Sequence, residues 1–219
     1  MIKNRLTQLI FKITFLTFAF FGMLSSLGLF NQELNTDWHV YYTNLSNFVC
    51  IIIILISTID LLKQMSKGEL VGLNTKHTVL RSQATIWILV TFLVYNILLG
   101  DPSTLEYWSG VGNITFHFAC PLLFALDCIL FDDHSNMKWW ECLLTPIVPI
   151  IYIAYIYIRS AIVAHTPDNL IYPYFFFDID TLGIKGVVIY IICLIVFFII
   201  LSFILFGMYK IIQKRKSKA

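Results

Sequence analysis

The sequence encodes an all-α protein, a polytopic membrane helix bundle with six transmembrane helices. Composition is the first sign: of 219 residues, 58% are hydrophobic and 13% charged, with a mean hydropathy of +0.80. Soluble domains carry about 45–50% apolar and about 25% charged residues. The second sign is the length of the apolar runs. A helix crossing about 30 Å of hydrocarbon needs roughly 20 such residues, and six runs meet that length, with polar connections between them. No soluble domain, low-complexity tract or nucleic-acid module interrupts this pattern, so the whole chain is expected to form a single membrane domain.

The first span, 7–30, follows Met1-Ile2-Lys3-Asn4-Arg5. It is too long for a signal-peptide core and lacks a clean small-x-small cleavage pattern, so it is expected to be retained. The second, 40–62, opens on HVYYTNLSNFVC, His39 to Cys50, which sets Thr43, Asn44, Ser46 and Asn47 ahead of an apolar stretch. The third, 79–99, carries Asn96 near its end. The fourth, 112–131, holds Asn113, His117, Cys120, Pro121 and Asp127, and the fifth, 139–160, ends at Arg159. The connection 161–185 is rich in aromatics around Pro173, from Tyr172 to Phe177. It is too short to cross, and is expected either to lie in the interface or to fold back over the mouth of the bundle; an aromatic belt explains it equally well. The sixth span, 186–209, precedes a basic tail, 210–219, suited to anchoring against anionic lipid.

An even number of spans puts both termini on one side, and lysine and arginine decide which. With the termini inside, thirteen of the 15 basic residues are cytoplasmic and only Arg159 and Lys185 lie outside. The formal net charge of +2 hides this asymmetry. The expected location is therefore the cell membrane, multi-pass, with N- and C-termini cytoplasmic. The five cysteines are scattered in or beside apolar runs without paired spacing, which points to free buried thiols.

Polar side chains inside a span are costly unless they pair, so they mark functional sites by default. Spans two and four run in the same direction, and Thr43 and His117 both sit a few residues past the outer boundary. At 1.5 Å per residue they lie at similar depth. Ser46 and Asn47 follow Thr43 at i+3 and i+4 and share its face. Asn113, at i−4 from His117, is placed to hold the imidazole in one tautomer, and Pro121 is expected to bend or open the helix nearby.

A threonine hydroxyl needs a base within hydrogen-bond reach to act as a nucleophile. An imidazole in apolar surroundings stays neutral and ready to accept a proton. The amides of Asn44 or Asn47 suit an oxyanion. The plainer readings are an N-cap for span two from Thr43 and Ser46, and interhelical bridges from the asparagines and the histidine. Asp60 and Asp127 read as structural or snorkelling carboxylates; Asp127 is roughly 15 Å along the axis from His117. Arg159 either binds a lipid headgroup or pairs with Asp168 or Asp178. His39 and His165 share the outer side with His117, but without metal-binding spacing, so no metal and no cofactor is expected.

Several stretches carry a family resemblance: YYTNLSNFV in span two, NITFHFACPLLFALDCILF in span four, WWECLLTPIVPIIYIAYIYIRS in span five and IYPYFFFD after it. They resemble the bacterial six-span Pr-six-Pr membrane proteins, which are similar to the androgen-induced (FAR-17a-like) integral-membrane threonine hydrolases. The resemblance covers most of the chain from span two to Asp178. It implies metal-free hydrolysis of fatty-acid esters, with Thr43 as nucleophile and His117 as base, and it maps the family's aromatic-Tyr-Pro segment and following carboxylate onto Tyr172, Pro173 and Asp178. The chain departs from those hydrolases in placing Pro121 four residues after the histidine rather than five, and in carrying Ser46-Asn47 after the threonine.

The expected function is thus an intramembrane lipid or fatty-acid ester hydrolase acting near the outer leaflet. Its partners are membrane lipids and an acyl-ester substrate, with no nucleic acid. The alternative is a non-enzymatic membrane protein, whether lipid-binding, carrier or assembly subunit. Carriers are disfavoured because the polar residues cluster near one face rather than at mid-membrane.

Overall fold

The computed structural model describes residues 1–30, 32–163 and 170–216. Within them every regular element is helical, and six helical segments are long and apolar enough to cross a membrane. They are α1 (Arg5–Ser26), α2 (Tyr42–Ser66), α3 (Thr78–Val94) with its π-helical extension Tyr95–Leu99, the composite span Val111–Phe131, the composite span Trp139–Ile162, and α8 (Ile179–Lys216). A short helix, α4 (Leu105–Ser109), precedes the fourth span, which consists of α5 (Val111–Asn113), a π-helical turn Ile114–Ala119 and α6 (Cys120–Phe131). The fifth combines a 3-10 segment, Trp139–Leu144, with α7 (Ile147–Ile162).

α3 and the fourth span are the most enclosed, and α8 the least. The main core joins Phe15 and Ala19 of α1, Ile54 of α2, Ala84 and Ile88 of α3, and Phe124 of α6. Large apolar side chains such as Ile13, Ile56, Leu126, Ile151 and Ile192 face outward. That inside-out arrangement is what a hydrocarbon solvent stabilises, because lipid tails solvate leucine and isoleucine as well as a core does. Helix contact must then come from close packing and polar pairing. Trp87 Nε1 donates to the Thr145 carbonyl at 2.9 Å, and Thr145 Oγ1 meets Ser202 Oγ at 2.9 Å, tying α3, the fifth span and α8 together.

The connection before α8 corrects the expected boundary. Helical structure resumes at Ile179, well before residue 186, although Gly183 breaks the helix with φ 66° and ψ 165°. Before it, Phe175–Phe177 form a 3-10 turn, and Phe176 and Phe177 are buried against Val40, Tyr152 and Ile156. This stretch folds back over one end of the bundle instead of forming only an exposed belt.

At the opposite end, four charged residues are buried together. Lys12 Nζ lies 2.9 and 2.7 Å from the two Asp127 oxygens, Arg81 bonds Asp127 as well, and Arg81 Nε is 2.5 Å from Asp132 Oδ2. Two cations face two carboxylates, so the set is charge-balanced, the condition under which buried ions are tolerated. Asp127 is thus a structural tie between α1, α3 and α6.

Candidate active site

Thr43 opens α2, and His117 sits in the π-helical turn of the fourth span. His117 Nε2 lies 3.3 Å from Thr43 Oγ1. The plainer reading of Thr43 as an N-cap fails, because Tyr41 occupies that position and no side chain caps the helix.

The π turn has a readable cause. The Cys120 N–H reaches back five residues to the Thr115 carbonyl. In the same register the Phe116 carbonyl would face Pro121, which has no N–H to give. Asn47 supplies the missing donor: its Nδ2 reaches the Phe116 carbonyl at 3.1 Å and the Thr43 carbonyl at 2.8 Å. One amide therefore clamps the first turn of α2 to the widened turn that carries the histidine. π turns are frequent at functional sites because they displace side chains from the regular helical array.

Asn113 settles the tautomer. Its Nδ2 donates to the Tyr107 carbonyl at 2.9 Å, which turns its Oδ1 toward His117 Nδ1 at 2.6 Å. An amide oxygen only accepts, so Nδ1 carries the proton and Nε2 offers a lone pair to the Thr43 hydroxyl. Tyr95 stacks flat on the imidazole, with centroids 3.7 Å apart and planes 11° from parallel. Tyr107 stacks on Tyr95 in turn and bonds the Asn96 side chain. Asn96 therefore reaches the site through two aromatic rings, not by direct contact.

Beside Thr43 lies a largely apolar cleft, whose walls include Val94, Tyr95, Tyr152, Phe177, Leu194 and Phe198. Tyr42 and Tyr174 also line it, with a phenol hydroxyl each. Thr43 N–H, left without an intrahelical partner at the helix start, points to the Tyr174 hydroxyl at 3.4 Å.

The remaining sequence expectations fare differently. Asn47 has both amide hydrogens on backbone carbonyls and none for an oxyanion. Asn44 donates to the Trp38 carbonyl at 2.7 Å and lines a separate cleft with Met23, Leu27 and Phe48. Neither is placed for the oxyanion role. Ser46 joins Thr91 at 2.9 Å, an α2–α3 bridge. Arg159 is held by Asp37 at 2.8 Å and the Leu170 carbonyl at 2.5 Å, so among the described residues its acidic partner is Asp37 and not Asp178. Asp178 instead caps the start of α8 through the N–H groups of Asp180 and Thr181 and the Thr181 hydroxyl, which holds its carboxyl below the usual range. Tyr172 packs on Tyr157, away from the Thr43–His117 contact. His39 packs beside Trp38 and Tyr155. His165 and Asp168 lie outside the described residues.

A second polar cluster escaped the sequence reading. Donor atoms of Cys128, Asp132 and His134 lie within 4.8 Å of one another, all buried. Asp132 already has one oxygen on Arg81 and the other on Asn74 Nδ2 at 2.8 Å. Burial, acting against the pull of Asp132, lowers the His134 pKa. The cysteines are free thiols; Cys50, Cys120, Cys128 and Cys142 are buried and Cys193 is exposed.

No family model matches this chain, no curated protein is similar to it, and no solved structure matches it.

Proposed function

We propose that this multi-pass protein sits in the cell membrane with both termini cytoplasmic, and that it hydrolyses lipid esters with Thr43 as nucleophile and His117 as general base. The orientation rests on the basic residues, thirteen on the inner side against two outside. It puts the Thr43 end of the bundle near the outer leaflet. The observation that carries the chemistry is the 3.3 Å contact between Thr43 Oγ1 and the unprotonated Nε2 of an imidazole fixed by Asn113, at the wall of an apolar cavity.

The acyl chain of the ester occupies the cavity, and its carbonyl carbon comes to Thr43 Oγ1. A bond forms between Oγ1 and that carbon, the hydroxyl proton passes to His117 Nε2, and the carbonyl π pair moves onto oxygen. On collapse the π bond re-forms, the bond to the alkoxy oxygen breaks, and His117 returns its proton to the leaving alcohol. Water then repeats the sequence on the acyl-threonine and releases the fatty acid. A contact of 3.3 Å without substrate is in the range that tightens on binding.

Activity-based labelling tests this reading. A fluorophosphonate probe is expected to label the purified protein and to lose its target in Thr43→Ala and His117→Ala. Undiminished labelling of both variants overturns the proposal. The second reading is lipid binding without chemistry, which the same cavity favours; it predicts no labelling, together with retention of a photoactivatable fatty acid in the cavity.

A further inference from the structure

Acyl transfer needs hydrogen-bond donors aimed at the developing oxyanion, 2.7–3.1 Å from where it forms, and such donors are among the largest contributors to catalysis. The two amides that the sequence suggests are committed elsewhere: Asn47 holds two backbone carbonyls, and Asn44 faces another cleft. The cavity wall beside Thr43 carries phenol hydroxyls instead.

Two of them have the required character. The Tyr42 hydroxyl is buried and has no hydrogen-bond partner among the described residues. An O–H in that state is desolvated without a compensating bond, so a carbonyl oxygen brought within reach would satisfy it. The Tyr174 hydroxyl accepts from the Thr43 N–H at 3.4 Å. It also neighbours the Thr43 side chain, and a phenol that accepts from an N–H keeps its own proton to donate. Tyr174 is held rigidly, stacked on Phe176 at 5.1 Å and edge-on to Tyr41 at 6.3 Å. Both residues line the same cavity as Thr43, one being the residue before it in α2 and one coming from the segment folded over the mouth.

We propose that Tyr42 and Tyr174 form the oxyanion hole, their hydroxyls donating to the carbonyl oxygen of a cavity-bound ester as Thr43 attacks. This rests on the hydrolase reading of the Thr43–His117 pair. Electrons and protons balance as in the scheme above. The carbonyl π pair resides on oxygen in the tetrahedral intermediate while both phenols keep their protons. Burial raises the Tyr174 pKa, which favours the protonated, donating form at neutral pH.

The test uses the full chain in nanodiscs with p-nitrophenyl esters from acetate to palmitate, comparing wild type with Tyr42→Phe and Tyr174→Phe. Each substitution removes one hydroxyl and keeps the ring that walls the cavity. The expected result is a fall in kcat of about 10²-fold for each, the size of losing one oxyanion donor, with KM within a few-fold of wild type. The rate of fluorophosphonate adduct formation falls in parallel. Tyr42→Phe is also expected to leave the thermal midpoint unchanged or raised, because it removes an unpaired buried hydroxyl; a purely structural role predicts a lower midpoint. If Thr43→Ala and His117→Ala abolish turnover while both Phe variants keep wild-type kcat, the oxyanion assignment is overturned and the Thr–His reading stands. If Thr43→Ala keeps wild-type turnover, or wild type hydrolyses no member of the ester series, the Thr–His reading falls and takes this assignment with it.

Discussion

The rings of Tyr95 and His117 lie 3.7 Å apart and nearly parallel, so one face of the imidazole is covered. One edge meets Asn113 and the other meets Thr43. The histidine is therefore oriented by Tyr95 and Asn113 and presents its remaining nitrogen to Thr43.

Removing the amide should cost activity with little change in substrate binding. Asn113→Leu is expected to lower kcat by about 10²-fold, at the low end of what positioned general acid–base catalysis contributes, with KM nearly constant. Asn113→Asp, which still accepts from Nδ1, is expected to keep more activity than Asn113→Leu. Steady-state kinetics on a short-chain ester checks both.

Leu194 lines the cavity far along the chain from Thr43 and His117. Leu194→Trp fills part of that space and is expected to shift preference to shorter acyl chains. The expected measurement is a loss of kcat/KM for palmitate esters of at least about 10-fold, the size of a few methylenes lost from an apolar pocket, with butyrate esters little affected.

The charged cluster at the other end of the bundle answers to stability. Lys12→Met leaves Arg81 facing two carboxylates, an uncompensated buried charge worth about 3–5 kcal/mol. The thermal midpoint in detergent should fall clearly. Adding Asp127→Asn restores the charge balance and should recover part of the loss.

His134 gives the protein a pH-dependent stability on the acid side. Its folded pKa lies below 6.5, chiefly through burial. Below about pH 6.5 the unfolded chain therefore binds a proton that the folded protein refuses, and stability falls as pH drops toward the folded pKa; above that window this group contributes no slope. Thermal midpoints measured from pH 8 to pH 5 are expected to decline in wild type and to decline less steeply in His134→Gln.

The fold class was legible because hydrocarbon imposes a length and a polarity on every crossing segment. The shared depth of Thr43 and His117 also followed from local rules, since residue rise fixes depth and the i−4 spacing puts Asn113 beside the histidine; that their faces meet did not. Rotation of one helix about its axis relative to another has no such local signature. Asp37 as the partner of Arg159, Lys12 as the partner of Asp127, and Tyr174 beside Thr43 are separated by 122, 115 and 131 residues. The role of Asn47 was hidden for a different reason. The carbonyl it satisfies is orphaned only once the helix widens to π geometry ahead of Pro121, and the sequence showed the proline without the widening.

The union of Lys12 with Asp127 also bears on how the chain is made. At about 5–20 residues per second, the ribosome reaches Asp127 roughly 6 to 23 s after Lys12. Throughout that interval the first helix carries an ammonium with no counter-ion of its own, which lipid tails will not solvate. α1 should therefore linger at the insertion machinery or at the membrane surface until the fourth span emerges, and settle only when the two can enter as a couple.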